Sequence, residues 1–308
     1  MNQRKFSSFV LLLILSIYQL NFDSLTYIPT PNDFIEPYAN FNKQGENRIN
    51  LSFYFNSDQD MESRKAMTER YLRVNGPIIE SKIDGSVGPL LGLFQLYPFS
   101  VNKNKFNIYI SKLNADYGDI ESTIDNAKDD HAIFSHKLEF IKDRLGDADI
   151  DYRVIRMFYT NNLKELDLGN TFSHELAHSL LKFDDEYEQS YYFGDQCVND
   201  IKKAERLWGD MKGEVSKSFY DTQQIFKGKL TTDFNGFIIP QFNFTEDNVK
   251  IGVINSNCGE SYTPSYKSSK DNIMNLADNN LFFNAYQEKL AIKILSNYGT
   301  EKKLYLKE

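Results

Sequence analysis

Apolar and polar positions along the chain alternate between two periods. INLSFYF, Ile49 to Phe55, packs β-forming residues into an apolar majority and stops at Asn-Ser-Asp, which predicts a strand. Asp60 to Val74 is charged with helical spacing. Gly88 to Phe99 reads as a buried helix or turn closed by Pro98, and Lys105 to Leu113 as a second strand. From Asp129 to Gly146, Ile133, Phe134, Leu138, Phe140, Ile141 and Leu145 recur at roughly 3.6 spacing and predict a helix stopped by glycine. Ile150 to Tyr159 is a third strand, and Thr171 to Tyr187 opens as a further helix. Weak strands are expected near Gly236–Phe244 and Val249–Ile254, and an amphipathic helix over Leu281–Gly299. Strands and helices that alternate in this way point to a layered α/β domain.

The two ends of the chain differ from this pattern. Arg4 and Lys5 precede the apolar run Phe9–Ile17. That run is too short for a bilayer span of about 20 residues but suits a secretory core of about 7–15. Residues 1–25 are therefore expected to be a signal peptide or signal anchor, with a membrane tether only if the segment stays uncleaved. Residues 26–47, with Pro29, Pro31 and Pro37, read as a linker or wrapping arm, and 48–300 as a single domain. An exported product, whether secreted, periplasmic or on the cell surface, fits Cys197 and Cys258 as one disulfide. Asn50-Leu-Ser and Asn243-Phe-Thr match the glycosylation acceptor pattern.

Composition narrows the classes. Of 308 residues, 41% are hydrophobic and 14% aromatic, enough to build a core. The formal charge of −8 leaves no basic excess to neutralise phosphates, which argues against nucleic acid as a partner. Neither a Gly-x-Ser-x-Gly nucleophile elbow nor a Gly-x-Gly-x-x-Gly phosphate loop occurs.

The chemistry concentrates in TFSHELAHSLLKFDDEY, residues 171–187. Two of only four histidines lie four residues apart, so on a helix His174 and His178 share a face and can both address one ion. Glu175 falls beside that face, where it can take a proton from the water that a zinc ion activates. A catalytic zinc site needs a third protein ligand and one open position. The near candidates are Asp184, Asp185 and Glu186, which follow the helix after a turn. His131 and His136 are five apart on what reads as a different helix and are expected on its solvent side. The implied cofactor is one Zn2+, and the implied partner a peptide or protein substrate.

The H-E-x-x-H followed by D-E-Y resembles the metallopeptidase family typified by bacterial immunoglobulin A peptidases, a metzincin-like group. RINLSFYF, GLFQLYPFSVNKNKFNIYIS and DYRVIRMFY resemble that family's strands ahead of the zinc helix, and SYKSSKDNIMNL its Met-turn. The likeness runs in order over roughly residues 48–297 and is loose between 190 and 250. It implies a metzincin-like zincin with a mixed twisted sheet, an active-site helix and a C-terminal helix. It also implies zinc on His174 and His178, Glu175 as general base, Asp185 as third ligand ahead of Asp184 and Glu186, and Met274 beneath the metal. Tyr187 and Tyr266 are candidates for contacts to the substrate oxyanion or the ligands. Two features depart from the family. The turn after His178 reads Leu181-Lys182-Phe183 where the family places a glycine, and TNNLKELDLGN replaces a Gly-rich stretch before the helix. A non-glycine residue in a left-handed turn costs roughly 1 kcal/mol or more. The alternative function is a surface binding or structural protein on the same scaffold without activity; hydrolysis of a cell-wall peptide is a third.

Overall fold

The computed structural model describes residues 35–38, 48–74, 91–115, 130–138, 146–149, 153–159, 165–186, 196–226, 230–232, 238–240, 244–256, 258, 264–275 and 282–299. Glu36–Glu308 form one compact unit. The leader expected over residues 1–25 lies outside the described residues, as do Asn243, Tyr187 and all of the arm except 35–38.

The protein is a mixed α/β structure built on one mostly parallel sheet. Its strands are β1 (Ile35–Pro37), β2 (Ile49–Phe55), β3 (Phe106–Asn114), β4 (Asp130–Lys137), β5 (Gly146–Asp149) and β6 (Val154–Tyr159), in the order β1-β3-β2-β4-β6-β5. β2 pairs in parallel with β3 and β4, and β4 in parallel with β6; β5 returns antiparallel along β6 and ends the order. Helix α1 (Met61–Leu72) follows β2 and helix α2 (Glu165–Leu176) follows β6. Asp60 caps α1 by accepting from the Ser63 amide at 2.7 Å.

Alternation along the strands decides what each face meets. Leu51, Phe53 and Phe55 of β2, Ile133 of β4 and Ile155 and Met157 of β6 join Tyr71, Phe172 and Leu176 of the helices in the main core. Phe53, Tyr71 and Phe172 pack as a ring trio with centroids 5.6–5.9 Å apart. The other parity forms a second layer of Ala132, Phe134 and Val154, with the Tyr54 ring stacked on Phe134.

This two-sided burial corrects the helix expected over Asp129–Gly146. Its first half is β4, and Gly146 begins β5 rather than ending a helix. A strand apolar on both faces shows a continuous run, Ala132-Ile133-Phe134, which mimics helical spacing. His131 and His136 are accordingly not on a solvent-side helix but buried on β4. Where a buried helix or turn closed by Pro98 was expected, the chain makes a 3-10 turn over Leu93–Gln95, and a second, Phe99–Val101, follows the proline. Asn50 sits in the central strand β2, its side-chain carbonyl accepting from Asn107 at 2.9 Å, a poor placement for a glycan acceptor.

The C-terminal half adds β7 (Cys197–Val198), α3 (Ile201–Trp208), α4 (Lys217–Phe226), β8 (Leu230–Thr232), β9 (Ile238–Pro240), the one-turn α5 (Glu246–Val249), β10 (Ile254–Ser256), β11 (Ser265–Lys267) and α6 (Ala285–Leu295). Where a strand was expected over Val249–Ile254, α5 ends at Val249 and β10 starts only at Ile254. β10, β11 and β7 form a small sheet over a second core around Trp208. Cys197 and Cys258 are joined by a disulfide, with a Cα–Cα distance of 5.9 Å. No helix among the described residues is long and apolar enough to cross a membrane.

Candidate metal centre

Helix α2 is buried at every position from Leu168 to Leu176. At Gly169 the backbone of Leu91 and Gly92 crosses so closely that a Cβ would lie 2.0 Å from the Leu91 carbonyl oxygen. At its end the helix loosens into a π-helical turn, Ala177–Leu181, and is closed by Lys182 at φ 60° and ψ 37°. This is the left-handed residue that the missing glycine raised as a question. The turn is made by a lysine, and the Lys182 amide donates to the His178 carbonyl while that of Phe183 donates to Ala177.

The turn brings the acidic run back over the helix. His174 Nε2 and His178 Nε2 lie 3.0 Å apart, and Asp185 Oδ1 lies 3.2 Å from the first and 3.1 Å from the second. All three residues are largely shielded from solvent, Asp185 the least at 20% side-chain exposure. The opposite ring nitrogens are committed elsewhere. His174 Nδ1 meets the Ile273 carbonyl at 2.8 Å, and His178 Nδ1 meets that of Phe183 at 2.6 Å. A carbonyl only accepts, so each Nδ1 carries the proton and each neutral ring turns a bare lone pair inward.

Two lone pairs and a carboxylate oxygen in mutual contact repel unless a positive charge joins them. In a triangle of this size the centre is about 1.8 Å from each corner, within the reach of the bonds of about 2.0–2.1 Å that zinc makes to such atoms. A tetrahedral zinc separates its ligand atoms by about 3.3 Å, close to the observed edges. The residues therefore fit such an ion. Without one, a proton takes the role. Burial works against charge on His174, but the Asp185 hydrogen bond and the neighbouring Glu175 outweigh it and raise the ring to about 9. Asp185 is also desolvated, yet its bonds to His174 and His178 hold it below the usual carboxylate range.

Ligand-type atoms of His174, Glu175 and His178 all lie within 4.8 Å of one another. Asp185 Oδ1, at 3.1–3.2 Å from the two ring nitrogens, is the third corner of the triangle described above. Glu175 is buried, and burial raises its pKa despite the two imidazoles. Gly146, the first residue of β5, leans on it: a Cβ there would lie 3.0 Å from Glu175 Cγ and 3.2 Å from Oε1.

The remaining candidates separate. Asp184 is half-buried. Glu186 faces away from the rings, with its carboxylate accepting from Asn272 at 2.7 Å and Gln287 at 3.1 Å; burial pushes it up to about 7. Met274 is fully buried, and its carbonyl accepts from the Glu186 amide at 2.8 Å. Tyr266 belongs to β11 and packs on the Trp208 core, where it lines a cleft with Ile251 to Asn255; none of the metal-centre residues lines that cleft.

Sequence reasoning missed Asn272, Gln287 and His131. His131 Nδ1 meets Ser179 Oγ at 2.8 Å, tying β4 to the π-turn. Burial, then the charges of Arg153 and Lys182, push His131 down to about 3, so it stays neutral. The one available signal was Asn284-Ala-Tyr-Gln287, a capping box at the start of α6.

A scan against family models finds no match for this chain, and a search of the curated proteins finds none.

Proposed function

We propose that this chain is an exported zinc-dependent endopeptidase with a metzincin-like fold, of the kind the immunoglobulin A peptidases typify. The observation that carries the reading is the convergence of two Nε2 lone pairs and one carboxylate oxygen within 3.2 Å, each ring held by a backbone carbonyl behind it. Zinc, when bound, supplies a Lewis acid that activates water and polarises a peptide carbonyl.

The protein residues do the rest. His174 and His178 through their Nε2 atoms and Asp185 through its carboxylate would hold the ion. Glu175, raised by burial, is the stronger base for it; it accepts the proton from the attacking water and returns it to the departing amine. The disulfide and the basic–apolar start of the chain support export.

Glu175→Gln is expected to lower peptide hydrolysis by about 10²–10⁴-fold while zinc content is retained. Full activity in that variant would overturn the assignment, and a folded wild type that hydrolyses no member of a peptide library would favour the binding-protein alternative. Elemental analysis of two further variants separates the carboxylates: Asp185→Ala is expected to lose zinc, and Asp184→Ala to keep it.

A further inference from the structure

The segment behind the metal centre is held by one buried polar network. Asn272 Oδ1 accepts from the Met274 amide at 2.9 Å and from Gln287 Nε2 at 2.8 Å. Its amide nitrogen donates to Glu186 and to Ser269 Oγ. Gln287 Nε2 donates to the same Glu186 carboxylate while its Oε1 accepts from the Asn284 backbone amide at the start of α6. Asn284 in turn donates to Ser268 and Ser269. Glu186 is 1% exposed, and Asn272, Asn284 and Gln287 are fully buried. The network leaves the Glu186 carboxylate bonded on both oxygens, which is the condition for a buried charge to be tolerated.

Its position gives it a task. Glu186 follows Asp185 directly, so fixing Glu186 fixes the backbone that carries the third ligand. Asn272 precedes Ile273, whose carbonyl orients His174. The backbone bond from Glu186 to Met274 closes the loop between the two. We infer that Glu186, through Asn272 and Gln287, is a positioning residue that sets two of the three metal ligands at once and makes α6 part of the metal centre. This rests on the metal reading above and adds to it: the acidic residue that follows the ligand does not bind the ion but holds the sphere in register.

The test uses the full chain and zinc or cobalt alone as probe. Zinc affinity is measured by competition with a chromophoric chelator, and the ligand field by the visible spectrum of the cobalt-loaded protein. Glu186→Ala, which leaves the Asn272 and Gln287 amides without their acceptor, is expected to weaken zinc about 10–100-fold and to shift the cobalt bands. Glu186→Gln keeps the shape and guards against an alanine variant that fails to fold; a smaller loss with the same direction of spectral shift is expected. Glu288→Gln is the control for stability alone, because Glu288 bonds instead to the Lys217 and Ser218 amides of α4. It should melt earlier with the wild-type spectrum. Wild-type affinity and spectrum in folded Glu186→Gln would overturn the inference and leave the metal centre standing. A wild-type chain that binds neither ion would overturn the centre itself.

Discussion

At the scale of single residues, the centre is an exercise in where protons sit. Each imidazole spends its Nδ1 proton on a backbone carbonyl, which leaves the inner nitrogens to compete for one positive charge. In the metal-free protein His174 is raised to about 9 from an ordinary value near 6.5. A raised histidine stabilises the fold fully below its unfolded pKa, and that contribution disappears as pH climbs through the folded value. The metal-free chain is therefore expected to lose stability between about pH 6.5 and 9, which thermal melts in chelator will report. Metal binding must displace the same proton, so zinc affinity should rise about tenfold per pH unit over that range. A flat affinity profile between pH 6.5 and 8.5 would contradict the assigned proton. The site's first half was open to sequence reading at this scale, because His-Glu-x-x-His is a local pattern on one helix face. The residues alone left Asp184, Asp185 and Glu186 open, and only the family resemblance put Asp185 first, because the geometry depends on a turn whose left-handed residue is Lys182. No spacing rule distinguishes three adjacent carboxylates after an atypical turn.

At the scale of elements, the same division recurs. β2, β3 and β6 were legible because their composition and their bounding polar residues agree. β4 was misread because the middle of a parallel sheet buries both faces and erases the alternation that marks a strand. The buried network behind the centre was mostly hidden: Asn284 and Gln287 carry only the local pattern of a helix cap, and Asn272 and Glu186 join them only when the chain folds. Helix α2 offers a test at this level. Gly169 lets the Leu91–Gly92 backbone cross the helix, and the oxygen it meets belongs to main chain that has no soft rotation to escape by. Gly169→Ala is expected to cost about 2–3 kcal/mol in denaturant unfolding through overpacking, despite alanine's better helix propensity. A stabilised variant would mean that the crossing is not as close as described.

At the scale of the whole molecule, a disulfide braces the part of the chain around the Trp208 core, and the buried network ties α6 to the segment behind the metal centre. The disulfide closes 61 residues between Cys197 and Cys258, beside the Trp208 core. Constraining a loop of that length in the unfolded chain is worth about 2–4 kcal/mol. The double variant Cys197→Ser, Cys258→Ser is expected to melt earlier by that measure, read by calorimetry with and without reductant. Its zinc affinity should change little, since neither cysteine contacts the ligand rings. An equal loss of both properties would show that the C-terminal core and the metal centre fold as one cooperative body.

The carbonyl that steadies His174 comes from Ile273, 99 positions further along the chain. A helix carrying both histidines can form early and locally, but its first ring has nothing to lean on until the chain has returned from nearly a hundred residues away. An ion that prefers the finished triangle therefore discriminates between complete and half-made molecules. Under the proposed zinc reading, its capture would serve as a checkpoint on assembly.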